Sequence, residues 1–333
     1  MNEVNQIVSD IKNGNSKPIY FLMGEESYYI DKISDYIEQN ILSEEEKGFN
    51  QVVLYGRDVT VDEIISQAKR FPMMADKTVI IVKEAQDLSR TIEKLVSYVE
   101  NVQPSTVLVI NYKYKTLDKR KKLNKIASKI GVVFESKKLY ENQVADWIRK
   151  VLNGKNYQME PKASQMLVEF LGTDLSKVSN ELDKLILILP AGTIITAEHI
   201  EHNIGISKDF NNFELRKAIG NRNVVKANQI INYFSNNPKN NPTVMTVSLL
   251  NSYFTQLLMY HGLQDKSKGN VAKNLGVSPY FVDDYVSASR NYPMRKVSQI
   301  IGFLRESDVK SKGVGASISQ NDLLKELLFK IMH

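Results

Sequence analysis

The chain has 333 residues, of which 42% are hydrophobic and 25% charged, and it carries a net charge of +6. That length exceeds one typical core, so two or three folded domains are expected, and the composition excludes a disordered or membrane-embedded chain. There is no cysteine, which rules out disulfides, thiolate nucleophiles and thiolate metal sites. Met1-Asn2-Glu3-Val4 opens no basic segment leading into an apolar one, and no apolar run is long enough to span a bilayer, so a cytoplasmic protein is the expectation.

A polar, helix-like segment up to Gly14 precedes Pro18-Ile19-Tyr20-Phe21-Leu22-Met23, an apolar run of buried-strand length. Gly24-Glu25-Glu26-Ser27 then turns the chain into a helix from about Tyr28. In a nucleotide-binding α/β domain a phosphate-cradling loop would sit here. Counting G-x-x-x-x-G-K-[ST] from Gly24 puts Tyr29, Ile30 and Asp31 where glycine, lysine and a hydroxyl are required. Glu25 and Glu26 in the turn would repel a triphosphate. Apolar runs follow at 52–55, 78–82, 106–110 and 132–134, separated by helix-like stretches. Strands alternating with helices imply a parallel sheet with helices on its faces. Directly after the 78–82 run, Lys83 holds the place of a Mg²⁺-binding aspartate, and a cation there repels the metal. The α/β domain is therefore expected to bind little or no ATP.

A helix over 61–70 must stop or kink at Pro72, which lacks a backbone donor. Large side chains then stand where a loop is usually polar: Phe71, Met73 and Met74. By composition they close the local core; alternatively, two unbranched thioethers beside a phenyl ring make an adaptable surface for gripping another protein. Further on, residues 115–138 hold nine Lys/Arg, Lys119, Arg120, Lys121 and Lys122 among them, against Asp118 and Glu135. Such a face suits a polyanion such as DNA, or is a solvated helix surface.

From about residue 140 the pattern turns helical and stays so. Trp147-Ile148 and Val151-Leu152 share a helical face, and Pro161 starts a helix with Met166, Leu167 and Phe170 on one side. Gly172-Thr173-Asp174 reads as a C-cap followed by an N-cap, and Thr196 opens another helix. Helices then fill residues 213–332, apart from a polar loop at 236–242. The pair His199-x-x-His202 reads as an ordinary helical pair rather than a ligand set. Glu25-Glu26 and Asp283-Asp284 read as a cap-like turn and a solvated face, so no catalytic or metal site is expected.

Five blocks carry a resemblance in their order and spacing: Pro18 to Glu26 with Tyr28-Tyr29-Ile30; Phe71-Pro72-Met73-Met74-Ala75-Asp76-Lys77; Leu117-Asp118-Lys119-Arg120-Lys121-Lys122-Leu123; Gly172-Thr173-Asp174-Leu175 with Asn180-Glu181-Leu182-Asp183-Lys184-Leu185; and Asn212-Phe213-Glu214-Leu215 with Ala218-Ile219-Gly220. The likeness continues through Ala272-Lys273-Asn274-Leu275-Gly276-Val277 and beyond Asp308-Val309-Lys310. The chain resembles, end to end, the delta subunits of the bacterial DNA polymerase III clamp loader, AAA+ relatives that have lost their nucleotide site.

The resemblance implies an α/β then all-α fold. A degenerate AAA+ domain at 1–139 precedes a small helical lid at 140–208 and a helical collar at 209–333, with a linker near 207–212. It implies that Phe71, Met73 and Met74 grip the sliding clamp (the beta subunit), with Met73 and Met74 as the wedge. The family's usual wedge is Leu-Phe-like; Met-Met keeps bulk and apolarity without the ring. It implies a degenerate nucleotide site at Gly24, Ile30, Asp31 and Lys83, no cofactor and no catalytic residue in this chain, and ATP bound by partner subunits (gamma/tau and delta prime) that join the collar. Primer-template DNA is an implied partner, with Lys119, Arg120, Lys121 and Lys122 as candidate phosphate contacts, and a membrane is not. The alternatives are a free-standing basic DNA-binding protein of AAA+-like fold, an active AAA+ ATPase and a metal-dependent hydrolase.

Overall fold

The computed structural model describes residues 2–207, 209–314 and 319–333; Met1, and Lys208 within the expected linker, lie outside them. The described residues form two compact units, one within 1–139 together with Asp174–Ser176, the other within 140–173 and 177–333.

In the first unit the elements run α1 (Asn2–Lys12), β1 (Ile19–Gly24), α2 (Ser27–Asn40), α3 (Glu44–Asn50), β2 (Gln51–Tyr55), α4 (Val61–Ala68) and β3 (Thr78–Lys83). After them come α5 (Val96–Val99), β4 (Thr106–Lys113), α6 (Lys122–Ile130) and β5 (Val132–Ser136). Every strand pairing is parallel, in the order β2-β3-β4-β1-β5, with Ile19 opposite Leu108, Tyr20 opposite Val132 and Gln51 opposite Val79. All six residues of β1 are buried, which is why it reads as an unbroken apolar run rather than an alternating one. Period-two alternation still divides them: Ile19, Phe21 and Met23 pack with Ile64 and Ala68 of α4 on one face, Tyr20 and Leu22 with Val4, Ile7, Ile30 and Ile33 on the other. The expected parallel sheet with flanking helices is thus the fold. One connection differs: β3 and β4 are joined by 3₁₀ turns at Ala85–Leu88 and Ile92–Leu95 before the one-turn helix α5.

The second unit opens with α7 (Glu141–Asn153), α8 (Pro161–Leu171), α9 (Leu175–Ile188) and α10 (Ala197–Ile204). Its later helices are α11 (Asn212–Gly220), α12 (Val224–Asn236), α13 (Thr243–Gly262), α14 (Lys268–Leu275), α15 (Val282–Asn291), α16 (Met294–Ser311) and α17 (Gln320–Met332). Contrary to the all-helical expectation, β6 (Gln158–Met159) and β7 (Ile194–Ile195) pair in parallel; two residues each are too short to leave a periodic signature. Met166 and Leu167 are buried as expected, but Phe170 is 40% exposed. One core joins α11, α12, α13, α15, α16 and α17 around Phe234, Phe254, Leu257 and Ile300. Among the described residues no helix is long and apolar enough to cross a membrane.

Candidate functional site

Helix α4 starts at a reciprocal cap in which Thr60 and Glu63 satisfy each other's backbone donors. Its last carbonyl, that of Ala68, accepts from the Tyr98 hydroxyl at 3.2 Å and the Thr106 hydroxyl at 2.9 Å, so the helix ends where two core side chains pin it. Pro72 cannot donate into a continuing helix, and the chain crosses to β3 as a loop. On this loop Phe71 is 78% exposed, Met73 56% and Met74 102%. The core-closing reading of these three residues is therefore wrong. Each forfeits, in proportion to its exposure, part or all of the roughly 1.5–3 kcal/mol that full burial contributes, a cost a partner's apolar pocket would recover.

The loop is nonetheless held in one shape. Asn50, the last residue of α3 and almost wholly buried, accepts from the Met73 amide at 2.6 Å and donates to the Met73 carbonyl at 2.9 Å. Met74 follows in the left-handed region, with φ 56°, which a side chain with a Cβ adopts only when its surroundings require it. Lys77 bonds the Ser16 hydroxyl. Phe49, 73% exposed, precedes Asn50 on α3. Because Gln51 opposes Val79, Asn50 and the loop lie at the N-terminal edge of the parallel strands.

The residues expected to form a degenerate nucleotide site, Gly24, Ile30, Asp31 and Lys83, lie toward the opposite, C-terminal edge, where nearby backbone donors are paired within the protein. The Gly24 amide donates to the Lys115 carbonyl at 3.0 Å and the Glu26 amide to the Ser136 carbonyl at 3.3 Å. The Glu26 carboxylate caps α2 by accepting from the Tyr28 amide at 3.0 Å, so the anion site of this helix start is filled by the protein itself. Burial pushes the Glu26 carboxyl above its ordinary value. Ile30 is fully buried in the face that α2 presents to the sheet. Lys83 pairs with Glu38 at 3.0 Å, and Lys113 pairs with Asp31 at 2.9 Å and Glu84 at 2.8 Å. Burial alone would lower the pKa of Lys113, but the bonds to Glu84 and Asp31 outweigh it and raise it. A triphosphate with Mg²⁺ does not fit this donor set, which offers a carboxylate where phosphate would lie and a paired ammonium where the metal would lie.

The basic segment is less exposed in charge than its sequence count implies. Lys119 lies 3.1 Å from Glu135, Arg120 2.8 Å from Asp118, Lys121 3.6 Å from Glu93 and Lys122 2.5 Å from Glu100. Folding brings Glu93 and Glu100 to a stretch that holds only two acidic residues of its own. Such surface pairs contribute little to stability. His199 Nδ1 accepts from the Thr196 amide at 3.1 Å as part of a helix cap, and no metal-binding cluster is found among the described residues.

Two models of one family match: that described as "DNA polymerase III, delta subunit" over residues 20–137, and its C-terminal domain over residues 209–330. The chain belongs to the DNA polymerase III delta subunit family. It is 26% identical over 313 residues to the DNA polymerase III subunit delta of Bacillus subtilis, covering 91% of this chain and 90% of that one. It is 20% identical over 280 residues to a probable DNA polymerase III subunit delta of Aquifex aeolicus, covering 79% and 77%. A solved structure of the Bacillus subtilis DNA clamp loader delta protein superposes with a TM-score of 0.58 at 25% identity, covering 99% of both chains.

Within this delta-family chain the loop residues read from sequence, Phe71, Met73 and Met74, do share one exposed segment. The sequence reading did not single out Asn50 or Phe49. A capping-box signature, Ser43 with Glu46, marks their helix. No local signal pairs Asn50 with a backbone 23 residues on.

Proposed function

We propose that this clamp-loader delta subunit binds the sliding clamp through Phe71, Met73 and Met74 and biases the ring toward its open form for loading onto primed DNA. The observation that carries the reading is the exposure of adjacent methionines on a loop whose backbone is fixed from a buried side chain. Opening requires no covalent chemistry. A protein that binds the open ring more tightly than the closed one shifts that equilibrium by its differential affinity alone. The mismatched donors around Gly24, Ile30, Asp31 and Lys83 support a chain that holds no ATP. ATP then belongs to partner subunits, gamma/tau and delta prime, which join a collar at 209–333 beyond a lid at 140–208. Primer-template DNA contacts at Lys119, Arg120, Lys121 and Lys122 are part of the same proposal.

The test is clamp binding by the full chain, wild type against Met73→Ala/Met74→Ala, with and without ATP. Removing two desolvated apolar anchors weakens binding by at least about 100-fold, on the scale of a hot spot, and ATP changes neither affinity. Equal binding by both chains refutes the grip. A chain that ignores the clamp but binds DNA with steep salt dependence is the free-standing DNA binder instead.

A further inference from the structure

We infer that Asn50 is a positioning residue that latches the 71–77 loop in its clamp-competent shape, so that it governs binding without touching the partner. The inference rests on the reading of Met73 and Met74 as the grip. A primary amide presents one acceptor and two donors, and Asn50 uses all three. Its oxygen takes the Met73 amide at 2.6 Å, and its nitrogen gives to the Met73 carbonyl at 2.9 Å and to the Glu46 carbonyl at 3.1 Å. Both polar groups of one loop residue are thus paired by one side chain, as a neighbouring strand would pair them. Asn50 is 1% exposed, so no solvent competes for these bonds and no partner reaches the side chain.

The latch sits where it is needed. The next residue, Met74, is fully exposed in a left-handed conformation that an unconstrained loop would leave for an extended one. Asn50 is in turn fixed from both sides: α3 begins at the Ser43–Glu46 capping box, and Gln51 enters the sheet opposite Val79. The loop geometry is therefore referred to the sheet through one amide. Aspartate would keep the acceptor but turn an oxygen toward two carbonyls, and alanine would keep neither bond.

A latch and a contact residue differ in kinetics. Losing the latch lowers the fraction of molecules in the competent shape and raises the apparent Kd in proportion, which slows association. Losing a contact mainly accelerates dissociation. The experiment measures association and dissociation rates on immobilised cognate sliding clamp, together with hydrogen exchange of the Met73 amide and of the sheet amides of Phe21 and Ile80. Asn50→Ala and Asn50→Asp are expected to slow association about tenfold with dissociation within about twofold of wild type. Met73 exchange should accelerate in Asn50→Ala while the sheet amides stay protected. Wild-type association with faster Met73 exchange overturns the latch, and so does a change confined to dissociation. If Asn50→Ala loses sheet protection, Asn50→Asp is judged by the same criteria, and loss of protection in both overturns the latch in favour of a core role. Failure of the underlying grip is separate: in that case Met73→Ala/Met74→Ala binds like wild type, whereas a failed latch leaves the methionine variant impaired and the Asn50 variants normal.

Discussion

Replacing Arg216 with methionine keeps most of the side-chain volume and removes one charge from the second unit. Arg216 of α11 meets Glu169 of α8, with 15% and 6% of their side chains exposed, so the substitution strands a carboxylate out of water. Breaking a buried pair from one side costs about 3–5 kcal/mol. Gln165 still donates to Glu169 at 2.9 Å, which offsets about 1 kcal/mol and leaves roughly 3 kcal/mol at neutral pH. For a unit of this size that lowers its Tm by roughly 6–12 °C. Burial already raises the Glu169 carboxyl above its ordinary 4.5, with Arg216 the chief opposing influence. A carboxyl raised in the folded state favours folding below its unfolded value and loses that contribution as pH climbs through the folded one. Removing Arg216 raises the folded value further, so the deficit against wild type grows from acid to neutral pH and shrinks near about pH 5. Urea denaturation at both pH values, with Arg216→Met/Glu169→Gln beside the single variant, measures this. The double variant should recover all but about 1 kcal/mol. An equal deficit at both pH values, or a double variant no more stable than the single, refutes a buried ion pair here.

Gly24→Ala should destabilise the first unit by about 3 kcal/mol or more, because a Cβ there would lie 2.1 Å from the Ser136 carbonyl oxygen at a φ of 122°; an unchanged denaturation midpoint would show that this corner relaxes freely. Replacing Lys119, Arg120, Lys121 and Lys122 by alanine together tests the candidate DNA contacts. If all four meet phosphate, the slope of log affinity against log salt becomes shallower by roughly 3–4, and fluorescence anisotropy showing an unchanged slope would place DNA elsewhere.

What the sequence revealed depended on whether the deciding interaction was local. Buried strands announce themselves as unbroken apolar runs, and Ile30, Ile33 and Ile37 recur on one face of α2, so the sheet and the helix packed on it were both legible. Phe170 continues the helical spacing of Met166 and Leu167 yet lies 40% exposed; periodicity assigns a face but not how far the neighbouring surface extends. Charge counting missed the pairing for the same reason, since Glu93 and Glu100 reach Lys121 and Lys122 only through the fold.

The methionine loop shows how the two kinds of information combine. Composition favours burial for Phe71, Met73 and Met74, because apolar side chains are buried more often than not. That preference is reversed here by an arrangement composition does not record. The loop cannot collapse onto the core while Asn50 holds the Met73 backbone and Met74 stays left-handed. An apolar surface that folding could have hidden, but that a buried amide keeps out, is better explained by a partner's pocket than by incomplete packing. Asn50 is polar, buried and silent in the sequence, which is why sequence could single out the apolar loop but not the side chain that holds it.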